Sequence, residues 1–204
     1  MWRPAFLVIV LLSLIQACCP LTSVNPISDP QKSTYDQRLT GTWRNQDENE
    51  AVYFHIGQGE GGRIRILAVE HSSSGKFDHA LFNVFATRIN KTDYLNIDLS
   101  ELSKEITLDY TGFIFVRYDL PDADTLTFAP MALDPVVEAI QAKKLAGELT
   151  YADKNQTDHS EPAAAPKVEC AKITDSSGHI RAYLADEARA KELFSNLITM
   201  KRVK

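Results

Sequence analysis

Residues 63–89 read RIRILAVEHSSSGKFDHALFNVFATRI, two long apolar-rich runs on either side of Ser72-Ser73-Ser74-Gly75. The first run starts with Ile64 and Ile66 on one face and then switches face at Leu67 and Val69, which predicts a bulge or a strand buried on both sides. The serine–glycine stretch between the runs is hairpin-turn chemistry. Two strands joined by so short a connection pair antiparallel.

The same pattern extends in both directions. Upstream, AVYFHI (51–56) alternates, with Val52, Phe54 and Ile56 on one face and Tyr53 and His55 on the other. Downstream, DYLNIDL (93–99) sets Leu95, Ile97 and Leu99 against Tyr94, Asn96 and Asp98. GFIFVRYDL (112–120) and DTLTFAP (124–130) follow, joined through Pro121-Asp122-Ala123-Asp124. Six or seven strands with short connections predict an antiparallel meander or barrel. ALFNVFA (80–86) and GFIFVRY are apolar on both faces, so they need a barrel interior or covering helices.

Helices come later. In LDPVVEAIQAKKLAGE (133–148), Asp134 is placed to cap, Pro135 to start the first turn and Gly147 to terminate, with Val136, Val137 and Ile140 as the buried stripe. A strand VECAKI (168–173) precedes TDSSGHIRAYLADEARAKELFSNL (174–197), which reads as two short helices, and ITMKRV (198–203) suits a closing strand. The expected class is α+β: a β-rich antiparallel sheet or partial barrel of about seven or eight strands, with two or three later helices.

The N-terminus carries different information. Arg3 precedes an apolar run, Ala5 to Ile15, of about eleven residues against the roughly 20 that span a bilayer. A short basic region, a brief apolar core and the small residue Ala17 are the pattern of a cleaved secretory signal. Leu14-Ile15-Gln16-Ala17-Cys18 resembles the lipobox of bacterial lipoproteins. That resemblance implies cleavage between Ala17 and Cys18, a diacylglycerol thioether on Cys18 and a fatty acyl chain such as palmitate on its new amino group. Several acyl chains hold a protein stably where one does not. Cys19, not Asp, follows the lipid-bearing position, which implies an outer-membrane destination on the periplasmic face.

The expected organisation is a signal peptide at 1–17, a lipidated tether at 18–37 rich in Pro, Ser, Thr and Asn, and one β-rich domain at 38–204. YADKNQTDHSEPAAAPK (151–167) reads as a long surface loop. The three cysteines leave Cys19 and Cys170 after lipidation of Cys18. An oxidising compartment allows that pair to join, but a buried thiol at Cys170 is the expectation.

The chemistry-bearing motifs are sparse. A net charge of −5 argues against nucleic acid as a partner, and the basic terminal MKRVK reads as solvated charge. Gly57-x-Gly59-x-x-Gly62 precedes a strand rather than a helix, so it is a hairpin loop and not a nucleotide cradle. His71 and His79 flank the serine turn, but a zinc site needs three or four convergent ligands. Asp119, Asp122 and Asp124 lack the glycine and terminal glutamate of a calcium loop. No catalytic constellation, metal set or cofactor motif is recognisable, so the expectation is a non-catalytic protein without a cofactor.

Gly41-Thr42-Trp43, just before the first long strand, resembles the Gly-x-Trp signature at the start of lipocalins and related calycin barrels. That resemblance implies structural roles for Gly41 and Trp43, with the tryptophan closing the narrow end of a barrel that holds a small apolar ligand. A core aromatic entering a sheet is the plainer reading of Trp43. The leading expectation is a lipid-anchored envelope protein binding an apolar or amphipathic small molecule; the alternative is an envelope assembly or interaction protein acting through a surface patch. The partners expected are membrane lipid through Cys18 and either an unidentified small ligand or an envelope protein.

Overall fold

A computed structural model describes residues 21–33, 35–45, 51–71, 77–101, 111–152 and 167–204. The expected signal peptide, Cys18 and Cys19, the serine turn and most of the 151–167 loop lie outside the described residues.

Alternation does most of the building. β2 (Gly41–Asn45), β3 (Ala51–Gln58), β4 (Ile64–His71), β5 (Phe77–Ile89), β6 (Thr92–Asp98), β7 (Phe113–Asp122) and β8 (Thr125–Pro130) pair antiparallel in chain order. β11 (Ile198–Arg202) then pairs antiparallel with both β8 and β2. The result is a closed eight-stranded antiparallel barrel, not an open sheet. An even count lets every neighbour run antiparallel, and closure removes the bare edges that an open sheet exposes.

The expected switch of face in β4 is absent. Ala68 and Glu70 continue the inward series after Ile64 and Ile66, and Leu67 and Val69 stay half-buried on the outside. The register with β3 and β5 is unbroken across the strand, so the apparent switch reflected only a small residue at position 68.

Two apolar layers explain the strands that are apolar on both faces. Inside the barrel, Trp43, Phe54, Phe82, Val84, Ile97, Val116 and Met200 interlock. Outside it, Phe115, Ala129 and Tyr94 pack under Ile180, Leu193 and Phe194 of the helical layer. That layer comprises α1 (Leu133–Gln141), α2 (Ser177–Leu184) and α3 (Glu187–Leu193), inserted between β8 and β11. Ser176 and Asp186 cap α2 and α3 with their side chains. α1 departs from expectation. Ala132 is its N-cap, Asp134 and Pro135 lie inside the first turn, and the chain leaves the helix through Lys143 at φ 56°. Gly147 instead opens β9 (Gly147–Tyr151), where an added Cβ would sit 2.4 Å from Ile140 Cδ1.

The segment read as a tether belongs to the domain from Leu21 onward. β1 (Thr22–Ser23) pairs parallel with β10 (Val168–Ile173) and antiparallel with the start of β7. Ile27 is fully buried. Its N–H donates to Asn96 Oδ1 at 2.8 Å, and Asn96 Nδ2 donates to Thr87 Oγ1 at 3.0 Å. A polar composition concealed this packing because few apolar side chains are needed when buried amides are satisfied individually. Asn96→Ala orphans the Ile27 N–H and is expected to cost about 1–3 kcal/mol. Hydrogen exchange would show it as lost protection at Ile27; unchanged exchange there would contradict this role for Asn96.

Candidate functional site

A ligand inside the barrel needs space, and the interior is nearly full. Its cavity, lined by Leu39, Phe54, Ile56, Phe82, Ile97, Tyr118 and Phe128 among others, measures about 40 Å³. Small-molecule pockets measure about 300–1,000 Å³. The side chains that could have lined a lipid-sized cavity fill it themselves.

One end of the barrel is shut by Trp43. Its ring is fully buried, and Nε1 donates to Leu39 O at 2.8 Å, tying it to the 3-10 turn Gln37–Leu39. The Arg202 guanidinium stacks 4.0 Å from the ring centre. The same guanidinium donates to Thr40 O at 2.5 Å, Arg38 O at 2.9 Å and Ala123 O at 2.8 Å. Gly41 makes that approach possible: its φ is 131°, and a Cβ there would stand 2.6 Å from Arg202 Nη1. Gly41 supplies space and Trp43 a π face, so both act on structure. Arg202 was missed because terminal basic residues were read as solvated. Strand alternation was the available signal, since it puts Arg202 on the face of fully buried Met200.

Beside this latch lies a charged mouth of about 350 Å³ lined by Tyr35, Asp36, Arg38, Arg88, Asp93 and Tyr118. Arg38 Nη2 is 2.6 Å from Asp36 and 3.3 Å from Asp93, and Arg88 Nε is 2.6 Å from Asp93. The buried Tyr118 hydroxyl donates to Asp36 at 3.1 Å. Burial pushes the Asp36 carboxyl up, but the hydrogen bonds and charge of Arg38 and the Tyr118 hydroxyl outweigh it and hold the carboxyl below its usual value. Burial first, and then the two carboxylates, push the Tyr118 hydroxyl up. Tyr118 therefore stays a neutral donor. Asp36 contributes stability that is whole above the unfolded carboxylate value, near pH 4, and is lost as the pH falls through its lower folded value. Asp36→Asn is expected to flatten the acid limb of the stability profile below about pH 4. Thermal melts across that range would check it, and an unchanged acid limb would count against the assignment.

A second groove of about 530 Å³, which shares Ala86 and Arg88 with the mouth, lies between the N-terminal segment, β5 and α2 and is lined by Ser28, Lys32, Thr87, Arg88, Ser177 and Arg181 among others. Ser28 and Thr87 share a hydrogen bond of 2.5 Å, and Arg181 Nη2 donates to Arg88 O at 3.1 Å. Both concavities are open to solvent and carry charged side chains in their lining.

The remaining sequence candidates separate. Gly61 and Gly62 take positive φ in the β3–β4 turn. Asp122 caps its own hairpin through Asp124 N and the Thr125 hydroxyl. His79 stands opposite Val69, and His71 opposite Phe77, on the ladder. Among the described residues no group of three or more metal-ligating side chains converges. Cys170 is not the expected buried thiol: it is disulfide-bonded. Cys18 and Ala17 lie outside the described residues. The chain matches no protein-family model, no curated protein and no solved structure.

Proposed function

We propose that the chain is a lipid-anchored bacterial envelope protein, acylated at Cys18 and held on the periplasmic face of the outer membrane. It acts without catalysis, through contact of its outer surface with another envelope component. The observation that carries the choice of surface over cavity is the filled barrel, with about 40 Å³ inside. The neighbouring grooves that share Arg88, with Lys32 and Arg181 on one side and the ion-paired mouth on the other, are the contact region.

The barrel's polarity supports an anchored rather than a spanning protein. Inward positions are mostly apolar, with buried Glu70 an exception, while outward positions on β2, β3 and β4 include exposed Arg44, His55 and Arg65. A membrane-spanning barrel has the opposite arrangement, with an apolar outer band. Among the described residues no helix is long and apolar enough to cross a membrane.

Metabolic labelling with a palmitate analogue in a Gram-negative host tests the anchor. Label on the wild type and none on Cys18→Ala is expected, with the labelled protein in the outer-membrane fraction. A photo-crosslinking residue at Lys32 or Arg181 tests the surface. Crosslinks to one envelope protein from these positions, and none from exposed Arg65, support the reading; equal labelling from all three would sink it. The apolar-ligand reading keeps one direct check, native mass spectrometry of envelope-purified protein. A bound mass removed by organic solvent would return the barrel interior to consideration.

A further inference from the structure

Cys170 in β10 is disulfide-bonded, and the chain has three cysteines, so its partner is Cys18 or Cys19. A sulfur in a thioether cannot also join a disulfide. We propose that the adjacent cysteines divide two tasks: Cys18 carries the lipid, and Cys19 is bonded to Cys170, stapling the anchor to the sheet. The division rests on the lipid-anchor reading of Cys18.

The path of the chain is consistent with that pairing. β1 runs parallel to β10, with Thr22 opposite Lys172 and Ser23 opposite Ile173, so the described chain begins at Leu21, two residues after Cys19, beside the strand that carries Cys170.

The chemistry balances with an envelope dithiol oxidant, a protein disulfide of the thiol-exchange class. The thiolate of one cysteine attacks that disulfide, and the thiolate of the other displaces the oxidant from the mixed disulfide. Two electrons and the two thiol protons pass to the oxidant, which leaves as its dithiol.

The geometry has a consequence for the domain as a whole. Only Cys19 and Pro20 separate the acylated residue from Leu21, which is packed in the outer apolar layer. Three residue steps reach at most about 11 Å. The acylated residue therefore lies within about 11 Å of Leu21, which keeps the lipid close to the side of the domain where β1 meets β10.

The test is a non-reducing peptide map of the full-length protein, extracted from envelope membranes in detergent with free thiols blocked by N-ethylmaleimide. The expected species is the acylated tryptic peptide 18–32 linked through Cys19 to peptide 168–172, separable by reductant. Acylated Cys18 with blocked thiols at Cys19 and Cys170 would overturn the staple and leave the anchor standing. An unacylated Cys18 bonded to Cys170 would overturn both. A Cys19–Cys170 link without lipid would overturn the anchor, and with it the division of tasks.

Discussion

Trp43→Ala is expected to remove about 3–5 kcal/mol of stability, the range for deleting a large buried aromatic. Three losses coincide at that position. The ring's volume is left empty at the barrel end, Leu39 O loses its donor, and Arg202 loses the face it stacks on. Domains of ordinary stability hold about 5–15 kcal/mol, so the variant would be partly unfolded at physiological temperature. Urea denaturation of the soluble domain reads the loss directly. Arg202→Ala should cost about 2–3 kcal/mol, from the cation–π contact and the charged hydrogen bonds to three carbonyls. The double variant should lose less than the two single losses added, because each residue's contribution requires the other. Additive losses, or less than about 1 kcal/mol for Trp43→Ala, would mean that this end of the barrel is held by something else.

Cys170→Ser is expected to cost about 2–5 kcal/mol, because the disulfide closes a loop of roughly 150 residues and restricts the unfolded chain accordingly. For a protein of this size that corresponds to a fall in Tm of roughly 5–15 °C. Reductant should bring the wild type down to the variant's Tm and leave the variant unchanged. The loss should also be local: β1 is two residues long and depends on β10 for its parallel partner. Amide exchange at Val24, whose N–H donates to Ile173 O at 2.8 Å, should rise before the barrel amides respond. A wild type indifferent to reductant would show that the bond adds nothing to stability.

The barrel strands were legible because a half-buried strand writes its environment as alternation, as in β3, where Val52, Phe54 and Ile56 are all buried. Three features were not legible, each for a physical reason. β1 has no period to read: it is held by one neighbour on each side and by the Asn96 amide accepting from Ile27. Closure depends on β11 meeting β2, where Arg202 stands opposite Trp43, and pairings between such distant positions leave no local trace. The filled interior depends on summed side-chain volume, to which the polar–apolar pattern is blind. Among candidate residues, Gly41 and Trp43 stood out through the resemblance of Gly-x-Trp to the calycin signature, whereas Arg202 was hidden by its terminal position.

The seam between β2 and β11 also sets the order in which the molecule can assemble. The chain can form hairpins from β3 to β8 as it emerges, each from neighbouring residues. The ring stays open until β11 is available, and loops that long close slowly. For that interval β2 and β8 are two bare edges, each able to take a strand from another copy. A chain lacking β11 would keep both edges permanently, so its expected fate is aggregation rather than a smaller, stable barrel.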